Sequence, residues 1–426
     1  MKVRRIVNAM MTVLCCAAAS MSFAEVTSTY TLIIDPRVKS LKVAPLSDAY
    51  KPAIISLGDD DAIAVEFDLL DYDVHYLRYS LVHCNANWEP SQLFENEYID
   101  GFNYADINDY GQSEATFTHY YNYRFCVPNE DMRITKSGNY LLRVYEQDDP
   151  DEVLFQTRFS VCENKVNVQA QVSSRTDIDY NEGHQQLEFD VVYRQGLIAD
   201  PYQELTAIIT QNTRLDNAVM LKRPMMVAPG RITYAHDPSL IFAAGNEWRR
   251  FETVNTHTIN MHLDGIRYFE PYYHATVSTD FPRWEGGYLY DRTQFGRFTF
   301  RNAEFDAESS TQADYLVTHF TLDVGRRLEG GELHLDGEFT HGLPHEATLM
   351  KYDEYSGCYV CDMLLKQGAY NYQYLWYPYG AIAGETAFTE GDKYQTVNEY
   401  VIRIYDRPSG ERYDHFVGYG VIFSGK

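Results

Sequence analysis

Apolar and polar positions alternate with period two along much of this chain. Val153, Phe155, Phe159 and Val161 alternate with Gln156, Arg158 and Ser160. Leu187, Phe189 and Val191 alternate with Glu188 and Asp190, and Tyr400, Ile402 and Ile404 with Val401, Arg403 and Tyr405. Successive side chains of a strand point to opposite faces, so these runs predict strands with one face buried. Turn-formers punctuate them at Leu57–Asp61, Lys136–Asn139, Asp148–Asp151 and Arg407–Gly410. Helical periodicity of any length is missing. Strands spaced about ten residues apart, with polar turns between, predict an all-β fold of tandem immunoglobulin-like or early-set β-sandwich domains.

Two turns share a motif. Lys136-Ser-Gly-Asn-Tyr140 and Lys366-Gln-Gly-Ala-Tyr370 both read K-x-G-x-Y, a glycine turn with a tyrosine entering a late strand. The expected organisation is an N-terminal β-sandwich over 25–165, a middle β domain over 166–311 and a C-terminal early-set-like sandwich over 312–426. The polar, acidic stretch Glu304–Thr311 serves as the linker.

The N-terminus changes the compartment. Lys2, Arg4 and Arg5 precede an apolar stretch from Ile6 to Ala19, and Ser22-Phe23-Ala24 offers a small-x-small cleavage site. This predicts a Sec signal peptide over 1–24, cleaved after Ala24. The apolar stretch is too short for a membrane span, and neither Cys15 nor Cys16 follows the small residues that a lipidation site wants. Removing that segment's three basic residues takes the net charge from −25 to −28. Such a surface repels nucleic acid and anionic lipid headgroups, so no nucleic-acid partner is expected, and it favours a basic partner surface. The 36 tyrosines suit strands and half-wet contact surfaces.

Candidate chemistry is sparse. After processing, Cys84, Cys126, Cys162, Cys358 and Cys361 remain, an odd and thin set for a disulfide scaffold. Cys358 and Cys361 lie three apart on a predicted strand and so face opposite sides. Asp59–Asp61 and Asp148–Glu152 have the oxygens for calcium but not the EF-hand spacing, and solvated turns explain them. His341 and His345 with Glu338 form the tightest histidine cluster, on a loop through Gly342-Leu-Pro344 that suits zinc poorly. No catalytic residue, cofactor site or metal site is assigned. Tyr370, Tyr372, Tyr374 and Trp376 alternate on one strand face, as core or as an aromatic platform.

Several runs then resemble one family. They are His83-Cys-Asn-Ala-Asn-Trp-Glu-Pro90 continuing to Glu97-Tyr-Ile-Asp-Gly-Phe102, Asn122–Arg124 with Pro128–Glu130, Ser173–Asp179 and Gln211–Ala218. Phe242–Glu247, Asp291–Gly296 and Lys366–Tyr374 follow in order. Together they resemble the plug proteins of the type IX secretion system of Bacteroidetes. The resemblance implies a periplasmic protein that binds the outer-membrane translocon barrel, closes its periplasmic mouth, and needs no cofactor, membrane insertion or small-molecule ligand. The C-terminal part also resembles early-set sandwiches related to glycogen-binding modules, through Glu332–Phe339 and Gly368–Leu375. Thr340-His-Gly-Leu343 replaces the usual Asn-x-Trp there, which argues against sugar binding.

Trp88, Tyr98 and Phe102, set among Asn and Glu, have the mix of an interface anchor with a polar rim and are the expected partner-binding residues. The competing functions are a periplasmic glycan-binding or glycan-processing protein and an assembly factor or chaperone for secreted cargo.

Overall fold

The computed structural model describes residues 28–304 and 309–425, so the predicted signal peptide lies outside the described residues. Strand accounts for 48% of the structure and helix for 5%, in several antiparallel sheets with no barrel. The predicted all-β, multi-domain sandwich architecture is the observed one.

The first sandwich packs two sheets over one core. One sheet runs Leu32–Ile33, Asp149–Cys162, Gly138–Glu146, Leu77–Cys84, Ala105–Asp106, with Ile54–Ser56 added in parallel. The other runs Val38–Pro45, Ile63–Leu69, Tyr121–Val127, Asp109–Gln112. Alternation builds the interior: Leu77, Tyr79 and Leu81 point inward from one sheet and Ile63, Val65 and Phe67 from the other. Phe67 meets Phe155 edge-on at 4.8 Å between ring centroids, a favoured aromatic geometry.

The second sandwich is closed by the end of the chain. Val166–Ser173, His184–Tyr193, Arg231–Tyr234 and Met226–Ala228 form one sheet, and Ile241–Ala243 also pairs with His184–Tyr193. The facing sheet runs Val219–Leu221, Leu205–Gln211, Glu399–Asp406, His415–Phe423. Ile209 stands opposite Ile402, and Ala207 opposite Ile404, all in the same core as Leu187, Phe189 and Val191.

The third sandwich is inserted between those halves. Its long strand Gly368–Pro378 pairs with Arg249–Glu252, Phe298–Phe300 and Gly331–Asp336. The opposing sheet runs Leu263–Phe269, Tyr272–Val277, Tyr315–Leu322, Cys358–Lys366, Lys351–Asp353. A division at 311/312 therefore separates strands that pair here. Arg249–Val277 belongs with the third sandwich, and Glu399–Phe423 returns to the second because its alternating apolar face completes that core.

The two K-x-G-x-Y turns are structural twins. The Tyr140 hydroxyl donates to the Lys136 carbonyl at 2.7 Å, and the Tyr370 hydroxyl to the Lys366 carbonyl at 2.5 Å. Each glycine is required by space. A Cβ on Gly138, at φ +141°, would sit 2.5 Å from His83 Nε2, and one on Gly368 would sit 2.4 Å from the Thr299 carbonyl oxygen.

Candidate functional site

Buried charge joins the sandwiches. Between the first and third, Lys366 and Asp68 are both fully buried and paired at 2.6 Å. Tyr315 and Asn122 also donate to Asp68, at 2.6 and 2.8 Å, and the Lys366 ammonium lies 4.4 Å from the Tyr120 ring centroid. Burial pushes the Asp68 carboxyl above its ordinary value, opposed by Lys366, Tyr315 and Asn122.

A larger network crosses the third sandwich. Arg249 bonds Asp280 at 2.6 Å and both Glu390 oxygens at 3.1 Å, while Arg283 reaches Glu390 at 2.5 Å. The Tyr372 and Tyr374 hydroxyls donate to the other Asp280 oxygen at 2.7 and 2.8 Å. Burial works against the ionised Asp280 and Glu390, but the hydrogen bond of His262 with Arg249 and Tyr372 at Asp280, and Arg249 with Arg283 at Glu390, outweigh it and hold both carboxyls below the usual range. Arg297 pairs with Glu399 at 2.6 Å, tying the third sandwich to the returning strand of the second. A buried polar lattice of this kind ties the packed elements to one another.

The first and second sandwiches meet through Ile54, Ala86, Cys162, Val401, Tyr405 and Phe416. Polar groups flank that apolar seam. His83 Nε2 donates to the Ser137 carbonyl at 2.9 Å and its Nδ1 accepts from Ser91 at 2.8 Å. Desolvation by burial pulls His83 down to about 4. Burial acts to raise the neighbouring Glu163, yet hydrogen bonds from His415, Lys165 and Ser137 prevail and set it at about 2.

The expected partner residues Trp88, Tyr98 and Phe102 do not form one exposed surface. Tyr98 ends the short helix Glu95–Tyr98 with its ring in the first core, 4% exposed, and its hydroxyl donates to the Leu81 carbonyl at 3.1 Å. Tyr98 is therefore part of the first core. Trp88 occupies a turn at φ +68°, half-buried, with the Arg158 guanidinium 4.2 Å from its ring. Phe102 alone stands out, 66% exposed, beside Tyr104 at 5.5 Å.

The other candidates resolve similarly. Tyr370, Tyr372 and Tyr374 are core, with Trp376 packed partly against it, so the ladder is not a platform. All five cysteines of the described residues are unpaired. Glu338 accepts from the Phe298 backbone N–H, and burial lowers His341 to about 4. Among the described residues no three His, Cys, Asp or Glu side chains gather as metal ligands.

Two exposed aromatic features escaped the pattern. Phe281, Trp284, Leu289 and Tyr290 project from the strandless segment between Val277 and Phe298. That segment is stapled by Arg283, by Tyr288 on Glu247 at 2.6 Å, and by Asp291 on Arg250 at 3.0 Å. A long ordered loop of this kind is a common carrier of binding residues, and its sequence signal was a dense aromatic run without alternation. The second feature joins Phe117 to Tyr268 and Tyr273, with ring centroids 4.7 and 5.4 Å apart.

Residues 38–163 match the family model described as Type 9 secretion system plug protein 1st domain. A hypothetical protein from Parabacteroides merdae, known from its crystal structure, is 39% identical with a TM-score of 0.91. That likeness covers 93% of this chain and 99% of the other. No match is found among curated proteins.

Proposed function

The chain belongs to the type IX secretion system plug proteins, and on that premise we propose that it binds the outer-membrane translocon barrel from the periplasm and closes its opening. The observation that carries this reading is the match of residues 38–163 to the plug's first domain. The physical picture supports it. A stopper needs a shape that holds against thermal motion, and three sandwiches cross-linked by buried ion pairs and a returning chain resist separate movement. Its task is contact rather than catalysis, so breadth of surface matters more than any single reactive group. The net charge of −25 favours a basic rim on the partner. No helix of the described residues is long and apolar enough to cross a membrane.

Deleting the gene tests the proposal. A plug's loss raises outer-membrane permeability to large hydrophilic probes while the barrel still assembles. Normal permeability together with cargo held in the periplasm would instead identify an assembly factor and end the plug reading.

A further inference from the structure

Sheet edges carry unpaired backbone donors and acceptors, and folded proteins cover or blunt them. Among the described residues, four strands of seven or more residues end sheets. Val38–Pro45 is covered by the third sandwich, with Ser40 bonded to Tyr315 at 2.6 Å and Lys42 to the Phe298 carbonyl at 2.9 Å. Val166–Ser173 and His415–Phe423 pack on each other, Gly418 and Gly420 closing against Val166 and Val168. The fourth, Leu263–Phe269, has Tyr272–Val277 on one side and no strand of the described residues on the other. A register shift at Leu263/Gly265 blunts its start, while Gly265–Phe269 pairs regularly and contains no proline or lysine.

The side chains along this edge are equally unfinished. Ile266 packs toward the third core, and Tyr268 beyond it on the same face joins the Tyr273 and Phe117 rings. Arg267 and Phe269 occupy the other face. Arg267 is exposed and makes no ion pair among the described residues. Phe269 leans on His274 at 5.4 Å.

We propose that Leu263–Phe269 is a strand-addition site that takes an extended segment of the partner protein, apolar toward Tyr268 and Phe117 and carrying a carboxylate toward Arg267. The unpaired backbone row demands an extended occupant, which pairs main chain to main chain and seats alternate side chains on the two faces. An acidic residue opposite Arg267 gives the favourable cross-strand charge pair. A second copy of this chain is opposed by the charge of −25 that each copy carries. The inference rests on the proposed function, under which the segment belongs to the translocon barrel.

The test places p-benzoylphenylalanine at position 267 of the full chain in cells, with position 355 as control, since Tyr355 is 98% exposed elsewhere. Illumination is followed by purification of the barrel from detergent-solubilised outer membranes. The expected result is a crosslink to the barrel from 267 and none from 355. In parallel, Arg267→Glu lowers the barrel recovered with this chain about tenfold by setting like charges opposite each other, at an unchanged melting temperature. If the unsubstituted chain recovers the barrel but 267 gives no crosslink and Arg267→Glu recovers as much, the edge is the wrong surface while the plug reading stands. If the unsubstituted chain recovers no barrel, both fall. A crosslink between two copies, or to secreted cargo, overturns the occupant.

Discussion

At Lys136–Tyr140 and at Lys366–Tyr370 a tyrosine hydroxyl reaches back to the carbonyl of the lysine four residues earlier. Both glycines leave no room for a Cβ, and both tyrosines are buried. The lysines part company. Lys136 is half-exposed at the edge of the first sandwich. Lys366 is sealed at the seam between the first and third, against Asp68. The same five-residue pattern thus fixes a turn in both places, while what the lysine does is set by a surface folded from distant sequence.

The lysine exchange should break the symmetry most. Lys366→Met leaves the Asp68 carboxylate buried without its cation, and such removals cost about 3–5 kcal/mol. Lys136→Met, at a half-exposed site, is expected to stay within about 0.5 kcal/mol. Urea unfolding of the two variants measures both. Equal losses would mean that the Lys366–Asp68 pair contributes no more than an ordinary surface charge.

Acid sharpens the contrast from the other side, because His83 packs against the first glycine and has no counterpart at the second. Its folded pKa of about 4 lies below the unfolded value near 6.5. The folded state therefore prefers neutral His83, and its contribution is complete above about pH 6.5 and is lost as pH falls toward 4. That loss amounts to about 3 kcal/mol over the window. Glu163 adds a second decline from its ordinary range down to about 2. Melting temperature against pH is expected to fall in two stages, and His83→Gln, which keeps a side-chain donor, should flatten the first. A first stage that persists in His83→Gln would assign it to another group.

Legibility followed the same division. Alternation such as Leu187-x-Phe189-x-Val191 announces a buried face because burial acts on each strand by itself, and the three cores follow from it. The return of Glu399–Phe423 to the second sandwich was hidden, since alternation states that a strand is half-buried but not against which sheet. The pairings Lys366–Asp68 and Arg249–Glu390 join residues far apart in sequence, and nothing local marks either partner. The burial of Tyr98 was hidden for a related reason. Its neighbours are polar, yet the four-residue helix that it ends turns its ring inward, leaving Phe102 outside. The open edge at Leu263–Phe269 depends on which strands come to lie beside it.

Glycine replacement gives a smaller and more even effect. Gly138→Ala meets the His83 ring and an unfavourable positive φ, whereas Gly368→Ala meets the Thr299 carbonyl first and the Tyr370 ring edge less closely. Both are expected to cost about 1–3 kcal/mol, from overpacking in either case and from backbone strain in the first. The distinction lies in rescue. A smaller side chain at 83 relieves part of the Gly138→Ala clash, and no single side-chain change relieves Gly368→Ala, because the obstruction there is the Thr299 main chain.

The smallest effect is the one the twins should share. Tyr140→Phe and Tyr370→Phe each remove one hydroxyl and leave one carbonyl without that donor, a change worth about 1 kcal/mol apiece. Both rings stay in place within their cores, Tyr140 stacked on Phe159 at 5.4 Å and Tyr370 on Phe251 at 5.1 Å, so packing is retained. The two sites lie in different sandwiches with no shared partner, and the double variant should therefore show the sum of the single losses to within about 0.5 kcal/mol. Additive, similar losses would establish the tyrosine-to-carbonyl bond as a local device that works alike wherever the pattern occurs. A loss at Tyr370 several times that at Tyr140 would show instead that the turn and the buried Lys366 act as one unit, since the carbonyl in question is that of Lys366 itself.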